Sequence, residues 1–119
     1  MRRLSWLLVF GALLSHPVLA APTQQMTLDD LQAICAGSDD SAANSCKFYI
    51  LGVTEGATLV VGNKRHFCIP EGVTSSTMAS VVKKLMAVDL AQFPVDHAMP
   101  AVSFVTAAML HAYPCPISN

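Results

Sequence analysis

Cys46-Lys47-Phe48-Tyr49-Ile50-Leu51-Gly52-Val53-Thr54-Glu55-Gly56-Ala57-Thr58-Leu59-Val60-Val61 runs without a proline. Cys46, Tyr49, Ile50, Val53, Ala57, Val60 and Val61 fall on one stripe, spaced as on an amphipathic helix rather than alternating as in a strand. Lys47, Thr54 and Thr58 take the opposite side. The spacing predicts a helix from about residue 42 to residue 61, closed by Gly62-Asn63, with a β-strand over residues 58–62 as the competing reading. Gly52 and Gly56 lie inside it, each costing about 1 kcal/mol relative to alanine. Such a pair predicts close approach of a neighbouring helix.

Upstream, Thr27 suits a helix N-cap, with Asp29 and Asp30 in the first turn where the helix dipole favours negative charge. Met26 and Leu31 occupy the positions of a hydrophobic staple. Leu28, Leu31, Ile34 and Cys35 recur at helical spacing before Gly37 ends the element, and Asp39, Asp40 or Ser41 can cap the second helix. Downstream, Thr74 is a further N-cap with Val73 and Met78 as its staple. Met78, Val81, Val82, Leu85 and Met86 then form a buried face, while Lys83 and Lys84 point outward. Residues 93–100 form a proline-bounded loop. A last helix begins near Pro100, which suits a first-turn position, and carries Val102, Val105, Met109 and Ala112 on its main face. Tyr113-Pro114-Cys115-Pro116 stops it.

These elements predict a mainly α fold: a compact four-helix domain stapled by two disulfides. Cys35 closes the first helix and Cys46 opens the second, so an antiparallel hairpin brings them together. Cys68 precedes the third helix and Cys115 follows the fourth, which an antiparallel pair places at one end. Four cysteines permit three pairings, and the layout favours Cys35–Cys46 with Cys68–Cys115. Zinc binding, a thioredoxin-type redox site and attached c-type haem all lack the close cysteine pair they require.

The whole chain has 119 residues, 53% hydrophobic and 13% charged, with a net charge of −1. Low charge with high apolar content excludes a disordered charged tail. Near-neutrality removes the basic face of a nucleic-acid binder. Part of the apolar content is an address. Arg2 and Arg3 precede an apolar run over residues 4–14, then Pro17, with Val18 and Ala20 at the −3 and −1 positions of a cut between Ala20 and Ala21. The run is about half the roughly twenty residues that a membrane anchor needs, so the reading is a cleaved signal peptide. The chain then divides into a leader at 1–20, a polar lead-in at 21–26, a helical domain at 27–116 and a tail at 117–119. The processed chain keeps all four cysteines and all eight acids but loses two arginines, for a charge of −3. It is expected to be exported, soluble and free of membrane insertion, in an oxidising compartment where small domains use disulfides.

Catalysis needs a nucleophile, a base and something to orient them. His66, His97 and His111 fall in a connector, a loop and a helix; Ser75-Ser76 lacks the Gly-x-Ser-x-Gly elbow, and the paired acids stand at helix starts. No cofactor or metal motif is present, so neither an enzyme nor a cofactor binder is expected.

Four segments together resemble a known family: Cys46-Lys47-Phe48-Tyr49-Ile50-Leu51-Gly52; Phe67-Cys68-Ile69-Pro70-Glu71-Gly72-Val73; Val81-Val82 with Leu85; and Ala108 through Leu110 to Ala112-Tyr113-Pro114-Cys115-Pro116. Their order and spacing is similar to the Rap/Tai-type periplasmic amidase immunity proteins of type VI secretion systems, over most of residues 28–116. The resemblance implies a small helical periplasmic protein, often a homodimer. Its partner would be a papain-like peptidoglycan amidase toxin from neighbouring or sister cells, blocked by occlusion of its active-site cleft. Specificity is then expected in exposed loops: residues 63–66, with Lys64, Arg65 and His66; residues 93–99, with Phe93, Val95 and Met99; and residues 39–45. The basic cluster also reads as a solvated loop, and the apolar trio as a cover over the core. A periplasmic stress or chaperone-like binding module on the same scaffold is the alternative function.

Overall fold

Thr27 starts the first helix by a reciprocal cap. Its hydroxyl oxygen accepts the Asp30 N–H at 3.2 Å, while the Asp30 carboxylate accepts the Thr27 N–H at 2.9 Å and the Thr27 hydroxyl at 2.7 Å. Those bonds, the backbone one foremost, hold the Asp30 carboxyl below its ordinary range. The computed structural model describes residues 24–60 and 67–117. The leader, the cut between Ala20 and Ala21 and the Gly62-Asn63 helix stop lie outside the described residues.

Helix α1, Leu28–Ala36, buries Leu28, Leu31 and Cys35. It stops at Gly37, where a Cβ would collide with that of Ala42, so the tight passage into the next helix requires glycine. Asp39 caps that helix by accepting the Ala42 N–H at 2.9 Å. Helix α2, Asp40–Val60, therefore begins about two residues earlier than its apolar stripe suggests, and it stays helical to residue 60 where a strand competed. Helix α3, Ser75–Gln92, is capped by Thr74, and Gly72 supplies the positive φ of 86° in the turn before it. A five-residue 3-10 segment, Pro94–Ala98, which we call the strap, leads to α4, Ala101–Ala112. Proline-bounded residues expected as loop are thus a helical turn, since Pro94 presets its first φ.

The core forms where the four helices meet. Leu28, Leu31, Ile50, Val82, Val105 and Met109 are its largest fully buried side chains, with Phe67 closing one end. The expected face of α1 is the buried one. On α3, Met78, Val82 and Met86 are buried and Leu85 packs against them, but Val81 is only half-buried while Ala79 and Leu90 join the core, and Lys83 and Lys84 are exposed. Both disulfides join the expected partners, Cys35–Cys46 and Cys68–Cys115. The second is reinforced by the Cys68 N–H donating to the Tyr113 carbonyl at 2.8 Å.

Several expectations give way. Thr54 is buried, not outward: its hydroxyl donates to the Ile50 carbonyl at 2.8 Å, which satisfies it within α2 and lets its methyl join the core. Among the described residues, Gly52 and Gly56 meet no neighbouring helix, since a Cβ on either would find nothing within 4 Å. The other helices pack on the Cys46, Ile50 and Thr54 side, about half a turn away. Val102 is 37% exposed, and α4 instead buries Ala101, Phe104, Val105, Ala108 and Met109. Pro100 is the N-cap of α4 rather than a first-turn residue, because it pairs with Thr27 as an isolated bridge.

Candidate partner-binding surface

Where α3 ends, the chain must turn back towards α4, and the strap makes that turn under several restraints. The Phe93 N–H caps α3 by donating to the Asp89 carbonyl at 2.7 Å. Inside the strap, the Asp96 N–H donates to the Phe93 carbonyl and the Met99 N–H to the Asp96 carbonyl, both at 2.9 Å. Beyond it, the Met99 carbonyl accepts the Leu28 N–H at 2.8 Å, and the Ala101 N–H donates to the Met26 carbonyl at 2.9 Å. The far end is thereby tied to the start of α1.

This bracing splits the apolar trio. Met99 packs against the core, whereas Phe93 is 53% and Val95 83% exposed. Val88, on the last part of α3, is also apolar and 55% exposed. Exposed apolar side chains on a restrained backbone lose little conformational freedom when covered, which suits an interface anchor. A shallow groove of about 230 Å³ lies between α3 and α4, lined by Val88, Asp89, Gln92, Phe104, Ala107 and His111.

Charged groups border the ridge. His97 Nδ1 lies 2.8 Å from Asp29 Oδ1, joining the strap to α1. Asp89 meets Asp96, and one Asp89 oxygen is buried without a partner. Burial first, then the Asp96 charge and a hydrogen bond with it, hold the Asp89 carboxyl above its ordinary range. The first of these contacts is not legible in the sequence, because Asp29 and His97 stand 68 positions apart. An aspartate beside a histidine within a proline frame was the local signal.

The remaining candidate residues separate. Lys64, Arg65 and His66 lie outside the described residues. Residues 39–45 are not a loop: Asp39 is the cap and the others form the exposed start of α2. His111 is exposed at the end of α4, and Ser75 begins α3. Phe48 is 60% exposed on α2, with Lys47 Nζ 5.1 Å from its ring centre. Among the described residues, no three His, Cys, Asp or Glu side chains group as a metal site. The arrangement offers a surface to cover rather than a cleft to fill.

The family model of the Rap1a immunity proteins matches residues 27–115, a span that includes all four helices, the strap and both disulfides. No curated protein and no solved structure matches the chain.

Proposed function

The chain belongs to the Rap1a immunity protein family, and we propose on that ground that it is a periplasmic immunity protein. It binds a papain-like peptidoglycan amidase toxin of a type VI secretion system and occludes the active-site cleft. Family membership supports a toxin-binding role without catalysis by this chain. The observation that carries the binding mode is the Phe93–Val95 ridge, apolar, outward and held on a braced strap. Such a ridge enters a substrate cleft from which a convex folded domain is excluded.

Export rests on the leader at residues 1–20, cleaved between Ala20 and Ala21. Two disulfides suit an oxidising compartment. No described helix is long and apolar enough to cross a membrane. A homodimer belongs to the same reading and is measured by sedimentation of the purified chain.

The test is co-expression with a co-encoded periplasmic amidase. The chain is expected to protect the cells and to co-purify with the enzyme, while Phe93→Asp with Val95→Asp abolishes both and leaves the helical circular-dichroism spectrum unchanged. Full protection by that double variant, with loss in a variant of Lys64, Arg65 and His66, moves the interface to residues 63–66. Absence of binding by the wild type refutes the amidase reading.

A further inference from the structure

A hollow of about 200 Å³ lies between the start of α2 and the first half of α3, with the Cys35–Cys46 disulfide in its wall. Helix α3 contributes Ser76, Ser80 and Lys83, which stand four and three positions apart and so share one face. Helix α2 contributes Asn44 and Lys47, three apart on its first turns. Two lysines, two hydroxyls and one carboxamide therefore line the same hollow, and none of its lining residues is acidic.

That grouping runs against the composition. The described residues carry eight aspartates and glutamates, and their basic side chains other than histidine are Lys47, Lys83 and Lys84. Two of those three line one hollow, and among the described residues neither of the two forms an ion pair. Nearby acids are placed elsewhere: Asp39 caps α2 by accepting the Ala42 N–H, and neither it nor Asp40 lines the hollow. Lys47 Nζ lies 5.1 Å from the Phe48 ring centre, a weak contact at an exposed site that brings no net negative charge. Lys83 also walls an adjoining hollow with Cys35 and Met86, so its stem is flanked on two sides while its head stays in water. Like charges that share a hollow repel each other. An anion held by both turns that repulsion into two charge-assisted hydrogen bonds.

We propose that this α2–α3 hollow is an anion site, which takes one carboxylate or phosphate group on Lys47 and Lys83, with Ser76, Ser80 and Asn44 as neutral donors. The group is either a free ion or the end of an acidic side chain on a bound protein. Phe93 and Val95 do not line the hollow, so the site stands apart from the ridge read as toxin-facing.

The experiment uses the processed full chain without a partner. Inorganic phosphate, and separately succinate, is titrated at neutral pH and fixed ionic strength, with chloride as the balancing ion, and amide shifts are followed by NMR. Saturable shifts are expected at Asn44, Lys47, Ser76, Ser80 and Lys83. Lys47→Gln and Lys83→Gln are each expected to weaken binding about twofold to fivefold, and the double variant to abolish saturation with an unchanged circular-dichroism spectrum. Lys84→Gln removes an equal charge from the next position on α3, outside the hollow, and is expected to leave binding intact. Absence of saturable shifts at these amides overturns the site. Equal weakening by Lys84→Gln overturns it too, because the response is then a general effect of charge.

A second arm identifies the source of the anion. Weaker binding of the co-encoded amidase by the Lys47/Lys83 double variant, with competition by phosphate, assigns the group to an acidic side chain of that partner. Unchanged amidase binding assigns the site to a free ion. Failure of the wild type to bind the amidase refutes the partner reading alone, since the titration of the isolated chain decides the site.

Discussion

Replacing Cys68 and Cys115 together by serine opens the larger covalent loop of the domain. The two residues are 47 positions apart, and neither is fully buried, so serine fits without leaving a hole in the core. Cross-link entropy for a loop of that length corresponds to about 4 kcal/mol, against a total stability of about 5–15 kcal/mol for ordinary domains. With an unfolding entropy of about 2.1 cal/mol/K for each residue, a domain of this size loses about 5 °C of Tm per kcal/mol. The expected fall is therefore about 20 °C in thermal unfolding by circular dichroism. The companion variant, Cys35→Ala with Cys46→Ala, opens a loop of separation 11, for which the same model predicts about 3 kcal/mol. Both of its sulfurs are buried, so lost packing adds about 1–2 kcal/mol and brings the two variants close in total. The denaturant slope separates them. Opening the long loop enlarges the unfolded chain more, so m rises further for the Cys68/Cys115 variant. A loss below about 1 kcal/mol in that variant, with m unchanged, refutes the entropic account. It would mean that the Cys68–Tyr113 backbone bond and the surrounding contacts already hold these ends together.

Asp89→Asn is expected to stabilise the domain near neutral pH by less than about 1 kcal/mol, discounted for partial exposure. It removes a disfavoured charge beside Asp96; the gain shrinks as acid protonates the wild-type carboxyl, whose folded value is raised, and urea midpoints at several pH values read it. Thr27→Ala removes the α1 cap and costs about 1 kcal/mol at neutral pH. Asp30 is held below its ordinary range first by the Thr27 backbone N–H, which the variant keeps, and then by the Thr27 hydroxyl. The gap between the two chains therefore narrows only in part as pH falls through the lowered value on chemical denaturation. Gly52→Ala and Gly56→Ala each stabilise the isolated chain by up to about 1 kcal/mol in thermal unfolding, since nothing meets the added Cβ. Weakened self-association in the same variants would place a second copy on that face. Ile50→Ala costs about 2–5 kcal/mol in urea unfolding, whereas Thr54→Val, which deletes a hydroxyl satisfied within its own helix, is close to neutral.

Helix number, the caps at Thr27 and Thr74, the buried face of α1, most of that of α3 and both disulfide pairings were legible without coordinates. Each depends on neighbours three or four positions apart, or on cysteines standing at helix ends that antiparallel packing must bring together. Thr54 was misplaced by a local bond to Ile50, whereas Val102 and the two α2 glycines were misplaced by neighbours remote in the sequence. Val102 yields its place to Ala101 and Phe104 because the bridge between Thr27 and Pro100 sets the rotation at which α4 enters the core. The absence of a helix against Gly52 and Gly56 among the described residues is equally nonlocal. Spacing indicates that a face is small, not which side of α2 its neighbours occupy.

The candidate surface divides along the same line. That residues 93–100 form an apolar, proline-framed turn on a helical, disulfide-stapled chain is written in local chemistry: proline sets φ, glycine permits the positive-φ turn, and capping side chains start helices. Tertiary packing alone decided that Met99 turns inward while Phe93 and Val95 stay out. It alone brought Asp29 to His97 and Asp89 to Asp96. The physical reason is range. Backbone preference acts over one helical turn, whereas burial and charge act through space, between groups that only the folded chain makes neighbours.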